Sequence, residues 1–368
     1  MKIGIIHPTL DVIGGAEQTT LSLLKALNDT EHKVTLYTTT KNLQIPINIK
    51  IKNLKKSTFQ IGWRLQRILE IKKLFKKAKN EDLLFVSSGN LVLSDTKKSV
   101  VIYCHSTFES ELKNLKTKKS KMFAIYHNYI KNQLIQQIKL LEKPTVQLIA
   151  NSDYTKNKIK KLFQKESNVI YPPVKIKEMN TKNSKKSGIV TIARYSPEKN
   201  LEFNLKVIKN LNVTYKIFGN TKFLSQINYY NHLQTITHNE KQIQLFCNTK
   251  RDFIENYLNS SKVYFQSSEE TFGISVVEGI MSGCIPIVPD NTANNETVFL
   301  KELRYKENDE NDAKEKIQSA LNGNFDKYLE KLQKHVKKFS EENFQKKIIA
   351  YLSQVEKNNT DKTKQKNV

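Results

Sequence analysis

Short apolar runs alternate with helical patterns almost from end to end of this chain, and that alternation confines it to one class. It is α/β, with βα units built around a mostly parallel sheet. In the first half the spacing predicts strands over 2–7, 33–38, 82–87, 99–103 and 145–150, with a first helix over about 16–27. The series halts at Tyr171-Pro172-Pro173-Val174 and a polar stretch over 175–187, then begins again. Strands follow over 188–193, 214–218, 242–247, 262–265 and 285–288, with helices starting near Leu201, Arg251 and Gly273.

Two consecutive prolines stiffen the backbone and cannot continue a helix, so the interruption reads as a domain boundary. At 368 residues the chain is long enough for two cores. The expected divisions are a Rossmann-like domain over 1–172 and a second over 173–339, two lobes with parallel sheets facing across a central cleft. A C-terminal helix over 340–355 is expected to pack back on the first domain. It opens with Ser340 as N-cap and Glu341-Glu342 in its first turn. The remainder, 356–368, is polar and lysine-rich and reads as a disordered tail.

Three cysteines far apart, Cys104, Cys247 and Cys284, show neither metal-ligand spacing nor an even count. They argue against a disulfide framework and for a reducing, cytoplasmic compartment. No run approaches the roughly 18 apolar residues a spanning helix requires, so neither a membrane anchor nor a secretory signal is expected. The formal charge is +25, and residues 1–172 hold 30 Lys and Arg against 13 Asp and Glu. Such a field favours anionic partners: phospholipid head groups, pyrophosphate-bearing acceptors or nucleic acid. Basic amphipathic stretches over 61–79 and 116–141 could dock on an anionic membrane surface through their lysines, with their apolar faces on the sheet. No RNP, zinc-finger or helix-turn-helix signature accompanies the charge, and no nucleic-acid partner is expected.

Gly14-Gly15 stands directly before the helix starting Ala16-Glu17, so uncovered amides face outward at a helix N-terminus, an anion site. Taken alone, an ordinary glycine turn explains it equally. His105 ends the strand over 99–103, at the strand edge where open α/β sheets bind ligands. After the strand over 188–193 comes Arg194-Tyr195-Ser196-Pro197-Glu198-Lys199-Asn200, two cations in one loop. Fixed there, they could neutralise the growing charge of a departing diphosphate without a metal. A surface loop with two solvated cations is the plainer reading. Glu270-Thr271-Phe272-Gly273-Ile274-Ser275-Val276-Val277-Glu278 then sets two carboxylates seven residues apart across a loop and a helix start. Gly273 and its neighbours offer amides to a sugar or phosphate, and Glu278 can accept from two ribose hydroxyls. A glycosidase would need both carboxylates flanking a scissile bond with an activated water, and nothing else here supports that.

Together these motifs, with Ala150-Asn151-Ser152 and the Tyr171-Pro172-Pro173-Val174 linker, resemble the group 1 glycosyltransferases, the retaining family four of GT-B fold, from Ile3 to about Tyr351. The resemblance implies that Arg194 and Lys199 hold the donor diphosphate, Glu270 lies against the donor sugar and Glu278 binds the ribose. Phe272, Gly273 and Ile274 would line the sugar-phosphate pocket. Gly15 would approach the reaction centre from the acceptor-binding lobe, and His105 would match the family's histidine near the transferred sugar. It further implies a nucleotide-sugar donor such as GDP-mannose or a UDP-sugar, internal return with retention, and no cofactor or metal. His7-Pro8 and the proline linker look most like the mannosyltransferases that extend lipid-linked oligosaccharides, peripheral on the cytosolic membrane face. Two departures stand out. Phe218-Gly219-Asn220 keeps one glycine of the usual Gly-x-Gly turn, and residues 289–296 lack the usual Gly-Gly ahead of the glutamate. The alternatives are a non-catalytic basic scaffold of this fold, binding membrane or RNA, and a GT-B sugar epimerase.

Overall fold

The structure, a computed structural model, describes residues 1–11, 14–41, 45, 48–54, 63–88, 93–106, 121–176, 186–209, 211–290 and 292–366. The chain divides into two compact units, Met1–Pro173 with Glu341–Val368, and Val174–Ser340.

The first unit is built on a parallel sheet of β1 (Lys2–Ile6), β2 (Lys33–Thr38), β3 (Lys50–Asn53), β4 (Leu83–Val86), β5 (Ser99–Cys104), β6 (Val146–Ala150) and β7 (Asn168–Val169). Their order is β3-β2-β1-β4-β5-β6-β7. Along β4, Leu83 and Phe85 enter one apolar cluster and Leu84 and Val86 the other. That period of two marks a strand buried on both faces. On one face Ile68, Ile71 and Leu74 of helix Trp63–Lys77 pack with Ile130 and Leu134 of helix Lys121–Leu141. Most of the described apolar side chains of both basic helices are thus spent on the core, Tyr129 and Ile135 excepted, while Lys73, Lys76, Lys77, Lys131 and Lys139 stay exposed. Residues 61–62 and 116–120 of the basic stretches lie outside the described residues.

On the other face, Leu23, Leu24 and Leu27 of helix Gly15–Asn28 pack with Phe344, Ile348, Leu352 and Val355 of the final helix, Glu341–Lys366. The apolar stripe of that helix ends at Val355, but the helix does not. The stretch expected to be disordered from 356 is helical to Lys366. It holds neither Pro nor Gly, so a helix already nucleated by packed turns propagates through it.

The second unit holds β8 (Ile189–Ile192), β9 (Tyr215–Gly219), β10 (Ile243–Cys247), β11 (Val263–Phe265), β12 (Ile285–Pro289) and β13 (Arg304–Tyr305), ordered β10-β9-β8-β11-β12-β13 and again parallel. Helix Ile274–Met281 lies so close on β11 that a Cβ on Gly279 would come within 2.7 Å of the Tyr264 ring. Strand order reverses between β1 and β4 in the first sheet and between β8 and β11 in the second. At such reversals the flanking connections diverge and leave a crevice beyond the carboxyl ends of the strands.

Candidate active site

In the second unit the loops leaving β8 and β11 flank the reversal. Tyr195 anchors the first: it is fully buried, and its hydroxyl donates to Ile217 O at 2.9 Å and Phe246 O at 3.0 Å. Pro197 opens a single 3-10 turn, Pro197–Lys199, which Asn200 ends at φ 49°, a left-handed position that asparagine tolerates. Ser267 Oγ contacts Lys199 O at 3.2 Å and Asn200 O at 2.9 Å, tying the second loop to the first.

These ties put Lys199 Nζ 2.6 Å from Glu270 Oε1, with the side chains only 15% and 18% exposed. The same oxygen accepts from Gln266 Nε2 and Ser268 Oγ, each at 2.9 Å. Oε1 is saturated, and among the described residues no hydrogen bond is made to Oε2. The carboxylate is therefore held rigid by one oxygen and can accept through the other.

Gly273, at φ +94°, is the N-cap of helix Ile274–Met281 and needs to be glycine for that conformation. Phe272 is buried against Phe339, ring centroids 5.0 Å apart, and Ile274 opens the helix. Glu278 lies one turn in, its side chain 10% exposed, with Oε1 2.7 Å from Arg251 Nη2. Arg251 also reaches Glu255 through Nε at 3.1 Å. Burial works against the Arg251 charge, but the two carboxylates outweigh it and raise its pKa. Arg194 does not join this group. Its Nη2 stands 3.6 Å from Glu198, both side chains about 60% exposed.

In the first unit the reversal is lined by His7, which follows β1, and Ser87, which follows β4. His7 is fully buried, its Nδ1 3.1 Å from Ser87 O and 2.9 Å from Thr20 Oγ1. A carbonyl can only accept, so Nδ1 carries a proton. Nε2 then faces Glu17 Oε1 at 3.6 Å. Glu17 Oε2 accepts the Gly14 amide at 3.0 Å, closing the helix start. Burial opposes the Glu17 charge, yet the hydrogen bond and attraction of His7 and the backbone bonds prevail and lower its pKa. Gly14 is extended at φ −116°, a conformation open to any residue. With the Gly14 amide taken up by Glu17, what the glycine pair supplies is exposed backbone at Gly15 rather than a strained turn.

His105 follows β5 half-buried, its ring 4.8 Å from Tyr103, and burial with the neighbouring His7 pushes its pKa down to about 3. It is a neutral imidazole at physiological pH. Arg67 lies within electrostatic reach of Glu17, its pKa lowered by burial against the pull of Glu70 and Glu17.

Of the residues singled out from sequence, the second unit brings Lys199 and Glu270 together, with Gly273 and Glu278 on the adjoining helix. Gly15 and His105 belong to the first unit. Sequence reasoning missed Gln266, Ser268 and Arg251. Arg251 had one signal: it opens helix Arg251–Ser260 just after β10. Among the described residues no group of three His, Cys, Asp or Glu is placed to hold a metal ion.

Residues 174–358 match the model of the family described as glycosyl transferases group 1, and residues 13–178 that described as glycosyltransferase family 4. The chain is 24% identical over 326 residues to the alpha-1,3/1,6-mannosyltransferase ALG2 of Candida glabrata, covering 75% of this chain and 66% of that protein. It is also 24% identical over 254 residues to the GDP-Man:Man(3)GlcNAc(2)-PP-Dol alpha-1,2-mannosyltransferase of Dictyostelium discoideum, covering 60% of this chain and 50% of that one. The chain thus spans about two thirds of one relative and half of the other. Among solved structures, Anabaena Alr3699/HepE in complex with UDP and glucose superposes with a TM-score of 0.74 at 15% identity, over 96% of this chain and 99% of that one. A glycosyltransferase from Rickettsia africae gives 0.69 at 15% identity, over 97% and 99%. At such identities these structures speak for the fold, which is GT-B.

Proposed function

Because the chain belongs to the group 1 glycosyl transferases, we propose that it transfers a hexose, mannose in the first instance, from a nucleotide-sugar donor to a glycan or lipid-linked acceptor at a membrane surface, with retention of configuration. The observation that carries this reading is the pairing of Lys199 with Glu270 at 2.6 Å where the second sheet reverses, beside the start of helix Ile274–Met281. The bond between the sugar's anomeric carbon and the donor phosphate breaks, and the nucleoside diphosphate departs with the electron pair. Lys199 and the first amides of the helix meet that charge. The acceptor hydroxyl attacks from the face the phosphate leaves, and its proton passes to the leaving phosphate oxygen. No protein nucleophile and no divalent metal has a part in this scheme.

Glu270, held by Oε1, presents Oε2 to the sugar hydroxyls, and Glu278, with Arg251 on one oxygen, offers the other to the ribose. Arg194 reaches the diphosphate by exchanging its exposed Glu198 partner for phosphate oxygens, a pair of low cost to break. In the first unit, neutral His105 can hydrogen-bond a sugar oxygen without adding a charge, and Gly15 offers its amide. The choice of mannose follows the names of the two mannosyltransferase relatives. The basic excess of residues 1–172 supports a membrane-borne anionic acceptor, with the protein working peripherally on a cytoplasmic membrane face. No helix among the described residues is long and apolar enough to cross a membrane.

The test is calorimetric binding against a panel of GDP-mannose, UDP-glucose and other nucleotide sugars, followed by turnover with the tightest. Wild type should bind one nucleotide sugar and turn it over, and Lys199→Ala and Glu270→Ala should both lose turnover. Full activity in either variant would remove the site from the second unit's loop pair.

A further inference from the structure

Buried polar atoms without a hydrogen-bond partner among the described residues include several at the carboxyl edge of the second sheet: Ser196 Oγ, Gln266 Oε1 and both carboxamide atoms of Asn294. An unmade hydrogen bond in the interior is a cost that folding alone does not repay, so each calls for a reason. Asn294 is the sharpest case. It is 0% exposed and follows β12, in the stretch where the sequence departs from the usual glycine pair.

The Asn294 backbone is fully engaged. Its amide donates to Thr292 Oγ1 at 3.1 Å, and its carbonyl accepts from Val298 N at 2.7 Å and Thr297 Oγ1 at 3.0 Å. Only the carboxamide is idle. The segment is joined to the Glu270 loop, since the Ala293 amide donates to Glu270 O at 3.2 Å. The Asn294 Oδ1 lies 2.6 Å from the point a Cβ on Gly273 would occupy, hard against the N-cap of helix Ile274–Met281. Gly273 O takes the Val276 and Val277 amides at 3.1 and 3.2 Å. The amides of Ile274 and Ser275 come too early in the helix to find an acceptor within it.

A leucine has the same branching and carries no polar group to leave unpaired. What a carboxamide adds is a donor and an acceptor beside a helix start. With both ends unpaired it can turn end for end without losing a bond.

We propose that Asn294 is a positioning residue for the donor: its carboxamide sets Gly273 and the first turn of helix Ile274–Met281 for the sugar diphosphate of a nucleotide sugar, and gains its hydrogen bonds when that ligand binds. The inference rests on the glycosyltransferase reading of the Lys199–Glu270 site.

It is tested on the full chain with Asn294→Leu and Asn294→Asp, by melting temperature without ligand and by calorimetric titration with GDP-mannose and UDP-glucose. The leucine variant should melt at or above wild type, because an unsatisfied amide has been removed, and bind the preferred donor about tenfold more weakly. The aspartate variant should melt lower, because its carboxylate is buried without a partner, and should bind more weakly still, since a carboxylate repels the diphosphate. Weaker binding in a leucine variant that melts no lower is the signature; should that variant not fold, the aspartate variant, titrated well below its melting temperature, carries the affinity test. Wild-type affinity in either folded variant overturns the proposal. Wild type that binds neither nucleotide sugar overturns the underlying reading, and this inference with it.

Discussion

Glu270 makes three hydrogen bonds with one oxygen, and Lys199 provides the shortest of them at 2.6 Å. On the proposed function, removing the ammonium does two things: it takes a cation from the departing diphosphate and loosens the carboxylate. Lys199→Ala is expected to lower kcat about 10²- to 10³-fold, the effect of losing one preorganised charge partner, while leaving the fold intact; steady-state kinetics beside circular dichroism would check both. His105 supplies a pH dependence. Its pKa lies near 3 in the folded protein against 6.5 for a free imidazole, so the unfolded chain binds the proton more readily. The stability this represents is full above about pH 6.5 and is lost as the pH falls toward 3. A His105→Gln variant should lose less stability than wild type between pH 6.5 and 4 in urea titrations, because glutamine does not titrate. Both residues were visible as a cation after a strand and a histidine at a strand end. Their surroundings were not: Lys199 and Glu270 stand 71 residues apart, and only the juxtaposition of β8 and β11 brings them together. Arg251 was hidden for the same reason, and Arg194 settles on the carboxylate its own loop offers.

At the scale of elements, the inner strands were legible because each is apolar on both faces and bounded by polar turns. β2 spans the predicted 33–38, and the ends of the others shift by a residue or so. β3, β7 and β13 escaped notice. They are two to four residues long and lie at the sheet edges, where one side has no neighbour and the apolar pattern fades. Gly273 and the helix after it were legible from the glycine and the apolar run, but nothing local pointed to Asn294 behind them. The final helix gives the clearest prediction at this scale. Phe344, Ile348, Leu352 and Val355 are at most 2% exposed in the first unit's core. Ending the chain at Ser340 removes all four and should abolish cooperative unfolding of that unit, whereas ending it after Lys357 should leave its melting temperature unchanged. Calorimetry of the two truncations decides it, and a first unit that melts normally without residues 341–368 would show the packing to be dispensable.

For the molecule as a whole, charge is the property most unevenly shared, with 30 Lys and Arg against 13 Asp and Glu in residues 1–172. Lysines on two helices of the first unit face solvent while most of their described apolar neighbours, Tyr129 and Ile135 apart, are spent inward, so the membrane attachment proposed above should be mainly electrostatic. Co-sedimentation with phosphatidylserine vesicles is expected at low salt and should vanish near 0.5 M, where screening acts within about 4–5 Å; attachment that survives high salt would point to apolar insertion instead. The return of the last helix to the first sheet also dictates an order of events during synthesis. Val174–Ser340 is one unbroken stretch and can fold as soon as it clears the ribosome, but one face of the earlier sheet keeps only helix Gly15–Asn28 as cover until residues 341–355 have followed. The half made first is finished last: a chain that ends at residue 340 can complete its second unit while its first still lacks a covering helix.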